Sequence, residues 1–279
     1  MIVDAHHHFW DPARADYPWM TGSYEPVRRP FGPRDLAPLL TANGVDATIL
    51  IQTRASLDET CEFLATAAGT PFVRGVVGWV DLTDPGVADV IAELRAGPGG
   101  DRLVGIRHQV HDEPDADWLL RDDVRRGIRA VGEAGLVYDL LVRARELPAA
   151  LAVAEALPDV RFVIDHIAKP AIRDGVRQPW SDRMAAFAAL DHVSCKLSGM
   201  VTEADWEGWQ PAGLAPYVNH VVAVFGPRRV LFGSDWPVCL LAASYDRVVE
   251  TARELLRGLS EAETAAVFDD TATEVYRLA

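Results

Sequence analysis

Histidines at positions 6 and 8, in the segment IVDAHHHFW, are the sharpest chemical signal in the chain. Side chains alternate along a strand, so His6 and His8 share one face while His7 points to the other. Two imidazoles on one face can hold a divalent cation between their ring nitrogens, although such a pair can also satisfy hydrogen bonds inside a core. Further along, apolar runs end in His166 and in Asp235. Neutral imidazole nitrogens with one carboxylate suit zinc or another borderline cation and leave a position for water. A carboxylate beside that water can take its proton as a general base and return it to a departing oxygen, the part expected of Asp235. Purification tags are longer and sit in Gly/Ser linkers, so histidines 6–8 are read as part of the fold.

The elements that must position these groups are short runs rich in Val, Ile, Leu and Phe, at 2–8, 47–53, 72–80, 103–109, 137–142, 160–166, 192–198 and 229–235. They are too short for helices and too continuous for half-exposed strands, which predicts eight parallel strands covered on both faces. Between them lie helical repeats: Leu57, Cys61, Leu64, Ala65 and Ala68 on one face, then Leu147, Leu151, Ala154 and Leu157, then Tyr245, Val248, Val249, Ala252, Leu255 and Leu256. Pro148 marks a first helical turn. The stretch 260–279 reads as two short helices. Even alternation to the end of the chain predicts an α/β protein, a single (β/α)8 TIM barrel over 1–279 with extra C-terminal helices. No glycine-rich phosphate fingerprint follows the first strand, so a nicotinamide cofactor is not indicated. Two stretches, the proline- and aromatic-rich 11–33 and the segment 169–180, are expected as long loops over the barrel mouth, serving as lids or binding walls.

Composition narrows the function further. With 49% hydrophobic residues in 279, the chain can bury a large core without disulfides. The formal charge of −14 repels phosphate backbones and anionic membranes, so neither nucleic acid nor a membrane is an expected partner. No apolar run approaches the roughly 18 residues of a membrane helix, and no basic-then-apolar leader opens the chain. Three widely spread cysteines, Cys61, Cys195 and Cys239, show no paired spacing and fit a reducing cytoplasm, the expected location. In a barrel of this kind reactive groups sit at the C-terminal strand ends. That rule collects histidines 6–8, Gln52, Arg107, His108, Gln109, Asp139, Asp165, His166, Lys196, Ser198, Ser234, Asp235 and Trp236. Asp4 and Asp165, each next to a ligand candidate, are read as supporting or capping groups. His111, His192 and His220 are read as structural or solvated.

DAHHHFW at the start, HIAKP after the sixth strand and LFGSDWPV at the eighth together resemble the amidohydrolase superfamily. The likeness is to its lactonase-rich branch of L-fuconolactonases, L-rhamnono-lactonases, sulfomuconolactonases and 2-pyrone-4,6-dicarboxylate hydrolases. It runs nearly end to end, through GVVGWVDL, GIRHQVHDEPDADWLL, YDLLVR, CKLSGMVTEADW and FGSDWPVCLLAASYDRV. The resemblance places the family's metal ligands on His6, His8, His166 and Asp235, and implies one divalent ion, with zinc expected. Some members of the branch need no metal, so the ion is not taken as strictly required. Binuclear members differ: here the fourth strand carries no lysine to be carboxylated, and Asp139 stands where a fifth-strand histidine would be. The implied reaction is hydrolysis of a sugar-derived lactone such as an L-fuconolactone. Asp235 would activate water, with His166, Arg107 or the ion stabilising the oxyanion. Gln52, His108 and Lys169 are expected to hydrogen-bond the sugar. Trp10, Trp79 and Trp236 either offer flat faces to its ring or pack the barrel rim. Two other readings remain open, a metal-dependent decarboxylase and a non-catalytic sugar-binding barrel. A homo-oligomer is compatible with the sequence.

Overall fold

The computed structural model describes residues 1–278. Eight strands form one sheet in sequential order: β1 (Val3–His7), β2 (Ala47–Ile51), β3 (Val73–Gly78), β4 (Leu103–His108), β5 (Val137–Leu140), β6 (Arg161–Ile164), β7 (Val193–Leu197) and β8 (Val230–Phe232). Every adjacent pair is parallel. The sheet closes on itself where His7 bridges Trp236 in parallel, with Asp235 N donating to His6 O at 2.8 Å and His8 N donating to Trp236 O at 2.7 Å. Helices α1 (Pro33–Asn43), α2 (Leu57–Ala68), α3 (Val87–Ala96), α4 (Asp122–Glu133), α5 (Leu147–Ala156), α6 (Trp180–Ala185), α7 (Pro211–Phe225) and α8 (Tyr245–Leu255) alternate with the strands. The result is the expected (β/α)8 barrel.

Two apolar clusters hold the layers. The larger lies between strands and helices and contains Leu50, Val76, Ile106, Tyr138, Phe162 and Phe232, together with helix residues such as Ile91, Ile128 and Val249. A smaller one joins Val3, Ala5, Ile49, Val77, Val137, Val163 and Leu231 to Ala272 and Tyr276, filling the barrel with side chains as such barrels require. Tyr276 belongs to α10 (Thr271–Tyr276), which follows α9 (Glu261–Ala265) through a π-helical turn at Ala266–Asp270. The two expected C-terminal helices are thus one run with a π-turn inside it. Ser260 starts that run by accepting from Glu263 N, while the Glu263 carboxylate accepts from Ser260 N.

The buried face of α2 differs from the one its sequence suggests. Thr60, Phe63, Leu64 and Ala67 face inward, while Leu57 and Cys61 are exposed. Glu59 explains the rotation: its buried carboxylate accepts from Thr53 N (2.7 Å) and Arg54 N (3.0 Å), fastening the loop after β2. Pro148 sits in the first turn of α5, as expected.

Candidate active site

At the C-terminal mouth a cavity of about 230 Å³ is lined by His8, Arg107, His166, Lys169 and Asp235, with Trp19, Tyr24, His111, Asp112, Arg143 and others around it. That volume suits a single sugar-sized ring rather than a drug-sized ligand. β1 brings in the first two imidazoles through an irregular register between Asp4 and His7. Asp4 turns outward to accept from Ser234 N (2.8 Å) and the Tyr245 hydroxyl (3.1 Å), and burial pushes its pKa up to about 6. His7 also faces outward, within 2.8 Å of Thr48 Oγ1.

The other two groups sit on left-handed backbone beyond their strands. His166, Ile167, Ala168 and Lys169 have φ of 53°, 48°, 59° and 45°, and Asp235 has φ 58°. Such a conformation costs L-residues about 1–2 kcal/mol each, and strain of this kind gathers where a side chain must be aimed. Here the turn is held by Lys169 N donating to His166 O (2.8 Å) and Trp180 Nε1 donating to Ile167 O (2.6 Å). The Lys169–Glu203 ion pair (2.9 Å) closes it.

The four groups converge. Asp235 Oδ1 lies 3.3 Å from His8 Nε2, 3.8 Å from His6 Nε2 and 3.9 Å from His166 Nε2. His8 Nδ1 is 2.8 Å from Ile51 O, a carbonyl that can only accept, so Nδ1 carries a proton and Nε2 is the ring nitrogen turned to the carboxylate. His166 Nδ1 lies 2.9 Å from the Ser198 hydroxyl, which can donate or accept. Three imidazole nitrogens gathered around one carboxylate oxygen form a donor set that suits a cation. His6, His8 and Asp235 lie within coordinating reach of one another, as do His6, Asp165 and His166. Burial holds His6 and His166 well below the usual imidazole range despite nearby carboxylates, which keeps both neutral. Burial would raise Asp235, but His166 and His8 outweigh it and lower it, so it is ionised near neutral pH.

Beneath this quartet lies a buried charge network. Lys196 Nζ is 2.6 Å from Asp139 Oδ2 and 2.9 Å from Asp165 Oδ1. Arg107 Nη1 donates to Asp165 Oδ2 at 2.9 Å and approaches His6 Nε2 at 3.3 Å, and its Nη2 bonds Gln52 O. Burial would raise Asp165, yet Lys196, His6 and Arg107 hold it well below the carboxylate range. Asp139 is pushed by burial up to about 6, against the pull of Lys196. The guanidinium of Arg107 thus contacts both His6 and Asp165, which themselves meet at 3.4 Å, and with Lys196 it sets two cations beside the Asp165 carboxylate.

The expected substrate-binding groups fare differently. Lys169 lines the cavity. Trp10 does not: it is buried against Trp19 and Phe31, with Nε1 donating to Val27 O. Trp236 is buried between Phe9 and Phe31, so both tryptophans are core residues rather than sugar platforms. Gln52 is fully buried, with Nε2 donating to Arg107 O and Gln109 Oε1, and is not part of the cavity wall. His108 points elsewhere, stacked on Trp118 (4.3 Å), accepting from Trp79 Nε1 and paired with Glu113. In their place the wall carries Trp19, Tyr24, Thr53, His111, Arg143 and Thr202. The aromatic content of 11–33 was a signal for Trp19 and Tyr24. Arg143 directly follows the apolar run 137–142, so its place at a strand end was a signal for it.

Comparison with known proteins bears on the same geometry. The amidohydrolase family model matches residues 3–278. The chain is 39% identical over 287 residues to an L-fucono-1,5-lactonase of Burkholderia multivorans, covering 99% of this chain and 96% of that one. It is 41% identical over 245 residues to an L-fucono-1,5-lactonase of Burkholderia ambifaria, covering 87% and 82%. A crystal structure of a Burkholderia multivorans amidohydrolase with bound zinc superposes with a TM-score of 0.94 at 39% identity, covering all of both chains.

Proposed function

We propose, from the premise that this chain belongs to the amidohydrolase family, that it is a hydrolase opening a sugar-derived 1,5-lactone, of the L-fuconolactone kind, to the free acid. The observation that carries this reading is the convergence of His6, His8, His166 and Asp235 within 4 Å of one carboxylate oxygen at the barrel mouth. Water positioned against Asp235 gives it a proton as the water oxygen adds to the lactone carbonyl. The ring carbon–oxygen bond then breaks, and the proton returns to the departing ring oxygen. Charge developing on the carbonyl oxygen meets the cationic side of the cavity, Arg107 and Lys169. His6, His8, His166 and Asp235 would hold one divalent ion, for which zinc is proposed, and when bound it supplies positive charge that polarises the carbonyl and acidifies water. The site of action is proposed to be the cytoplasm.

A pH-indicator assay over a panel of lactones tests this. Acid release from deoxysugar 1,5-lactones, faster than from unsubstituted rings, is the expected result. Carbon dioxide release from aromatic acids would favour a decarboxylase, and no reaction with either class would favour a binding protein. Either outcome contradicts the reading.

A further inference from the structure

We infer that Arg143, working with Asp112, recognises neighbouring hydroxyl groups on the substrate ring and sets the specificity of the cavity; the inference rests on the lactonase reading of the inner end. Strand order places the loops after β1 and β5 on opposite sides of the mouth. The first contributes Trp19 and Tyr24, and the second contributes Arg143. Trp19 and Tyr24 meet edge to face at 5.9 Å, and Tyr24 is braced by Trp206 at 5.7 Å, so their faces are fixed as an apolar wall. Across from them, His111 N donates to Leu141 O at 3.2 Å, joining the segment that carries Asp112 to the one that carries Arg143.

Charge pairing singles out Arg143. Arg107 is satisfied by Asp165, and Lys169 by Glu203. Among the described residues, Arg143 is the one Lys or Arg of the cavity wall whose side chain has no partner. Its backbone is nonetheless fixed, with its N–H donating to Glu146 Oε2 at 2.9 Å. A guanidinium offers five donors and no acceptor, so the ligand must bring oxygen lone pairs. On the same wall are groups that need the reverse. Asp112 can only accept, its Oδ1 lies 3.3 Å from His111 Nε2, and the buried Nδ1 of His111 has no hydrogen-bond partner. A carboxylate ligand could serve Arg143 but not Asp112. A hydroxyl does both, accepting from one and donating to the other. After pairing, the wall holds Arg143 against Asp112 and Asp235, so no net positive charge remains to attract an anion.

Calorimetric titration with two carbonyl-free probes, a 1,5-anhydrohexitol and tetrahydropyran, tests the subsite separately from the chemistry. Wild type is expected to bind the anhydrohexitol more tightly than the bare ring. Arg143→Met should weaken the anhydrohexitol by about tenfold or more, as loss of hydrogen bonds to a charged donor predicts, with tetrahydropyran unaffected and KM for the lactone raised. Arg143→Lys should recover part of the loss. Equal binding of the two probes by wild type, or an anhydrohexitol affinity unchanged in Arg143→Met, would overturn the inference. Tighter binding of tetrahydropyran carboxylate than of the anhydrohexitol would overturn it in favour of an anionic ligand. If the expected binding pattern appears but no lactone is hydrolysed, the lactonase reading fails while the hydroxyl subsite stands.

Discussion

Lys196→Met removes the ammonium from the centre of the barrel and measures how strongly the site depends on the charges beneath it. Lys196 is fully buried, with Asp139 Oδ2 at 2.6 Å, Asp165 Oδ1 at 2.9 Å and His6 Nδ1 at 3.5 Å. The cluster balances two cations, Lys196 and Arg107, against two carboxylates, Asp139 and Asp165. Methionine fills the same channel but leaves one negative charge uncompensated. Breaking a buried pair by removing one partner costs about 3–5 kcal/mol. At about 2–4 °C per kcal/mol for a chain of this size, Tm should fall by roughly 6–20 °C. Asp139 already sits at about 6 because of burial, and without Lys196 that burial is opposed less, so its pKa rises further. A carboxyl whose folded pKa exceeds its unfolded value favours the folded state at low pH, and that stability is lost as pH rises through the folded pKa. The deficit of Lys196→Met should therefore be larger near about pH 8 than near about pH 5. Adding Asp139→Asn restores neutrality and should return about half of the loss, within the range of coupling between contacting groups. Urea unfolding at both pH values provides the measurement. A double variant no more stable than the sum of the single changes, or a Lys196→Met protein as stable as wild type, would refute the reasoning.

Other expectations follow from particular contacts. Gly199 has φ 62°, and a Cβ there would lie 2.5 Å from His166 Nδ1, so Gly199→Ala should cost about 1–2 kcal/mol or more and lower kcat by displacing that ring. A matched pair of tryptophan variants separates core from wall: Trp236→Ala should lose about 3–5 kcal/mol in denaturant titration, whereas Trp19→Ala should act mainly by raising KM. Elemental analysis of protein prepared without chelator should find about one divalent ion per chain, because Arg107 and Lys196 already pair with Asp165; two ions per chain would contradict that reasoning.

Much of this arrangement was legible in the sequence because it follows from strand periodicity. Unbroken apolar runs gave the barrel, and the polar residues ending them gave His6, His8, His166 and Asp235. Less visible was how two of them are aimed: nothing in HIAKP or GSDWP reveals that His166 and Asp235 occupy left-handed backbone. The substrate wall was harder still. Whether Trp10 or Trp19 faces the cavity depends on the path of an irregular loop, and loops carry no periodicity from which to read a face. Gln52 and His108 do lie at strand ends, but each finds partners within the protein that hold it away from the cavity. The buried face of α2 departs from its apolar pattern because the Glu59 carboxylate binds a loop rather than solvent, a contact that no such pattern encodes.

Turnover of a deoxysugar 1,5-lactone by Asp235→Asn tests the account most directly. Asparagine keeps the size of the side chain and tolerates the left-handed backbone at this position, so the circular dichroism spectrum should match wild type. With the proton acceptor gone, kcat should fall by about two to four orders of magnitude. A correctly folded variant that opens the lactone at a rate close to wild type would contradict the role given to Asp235.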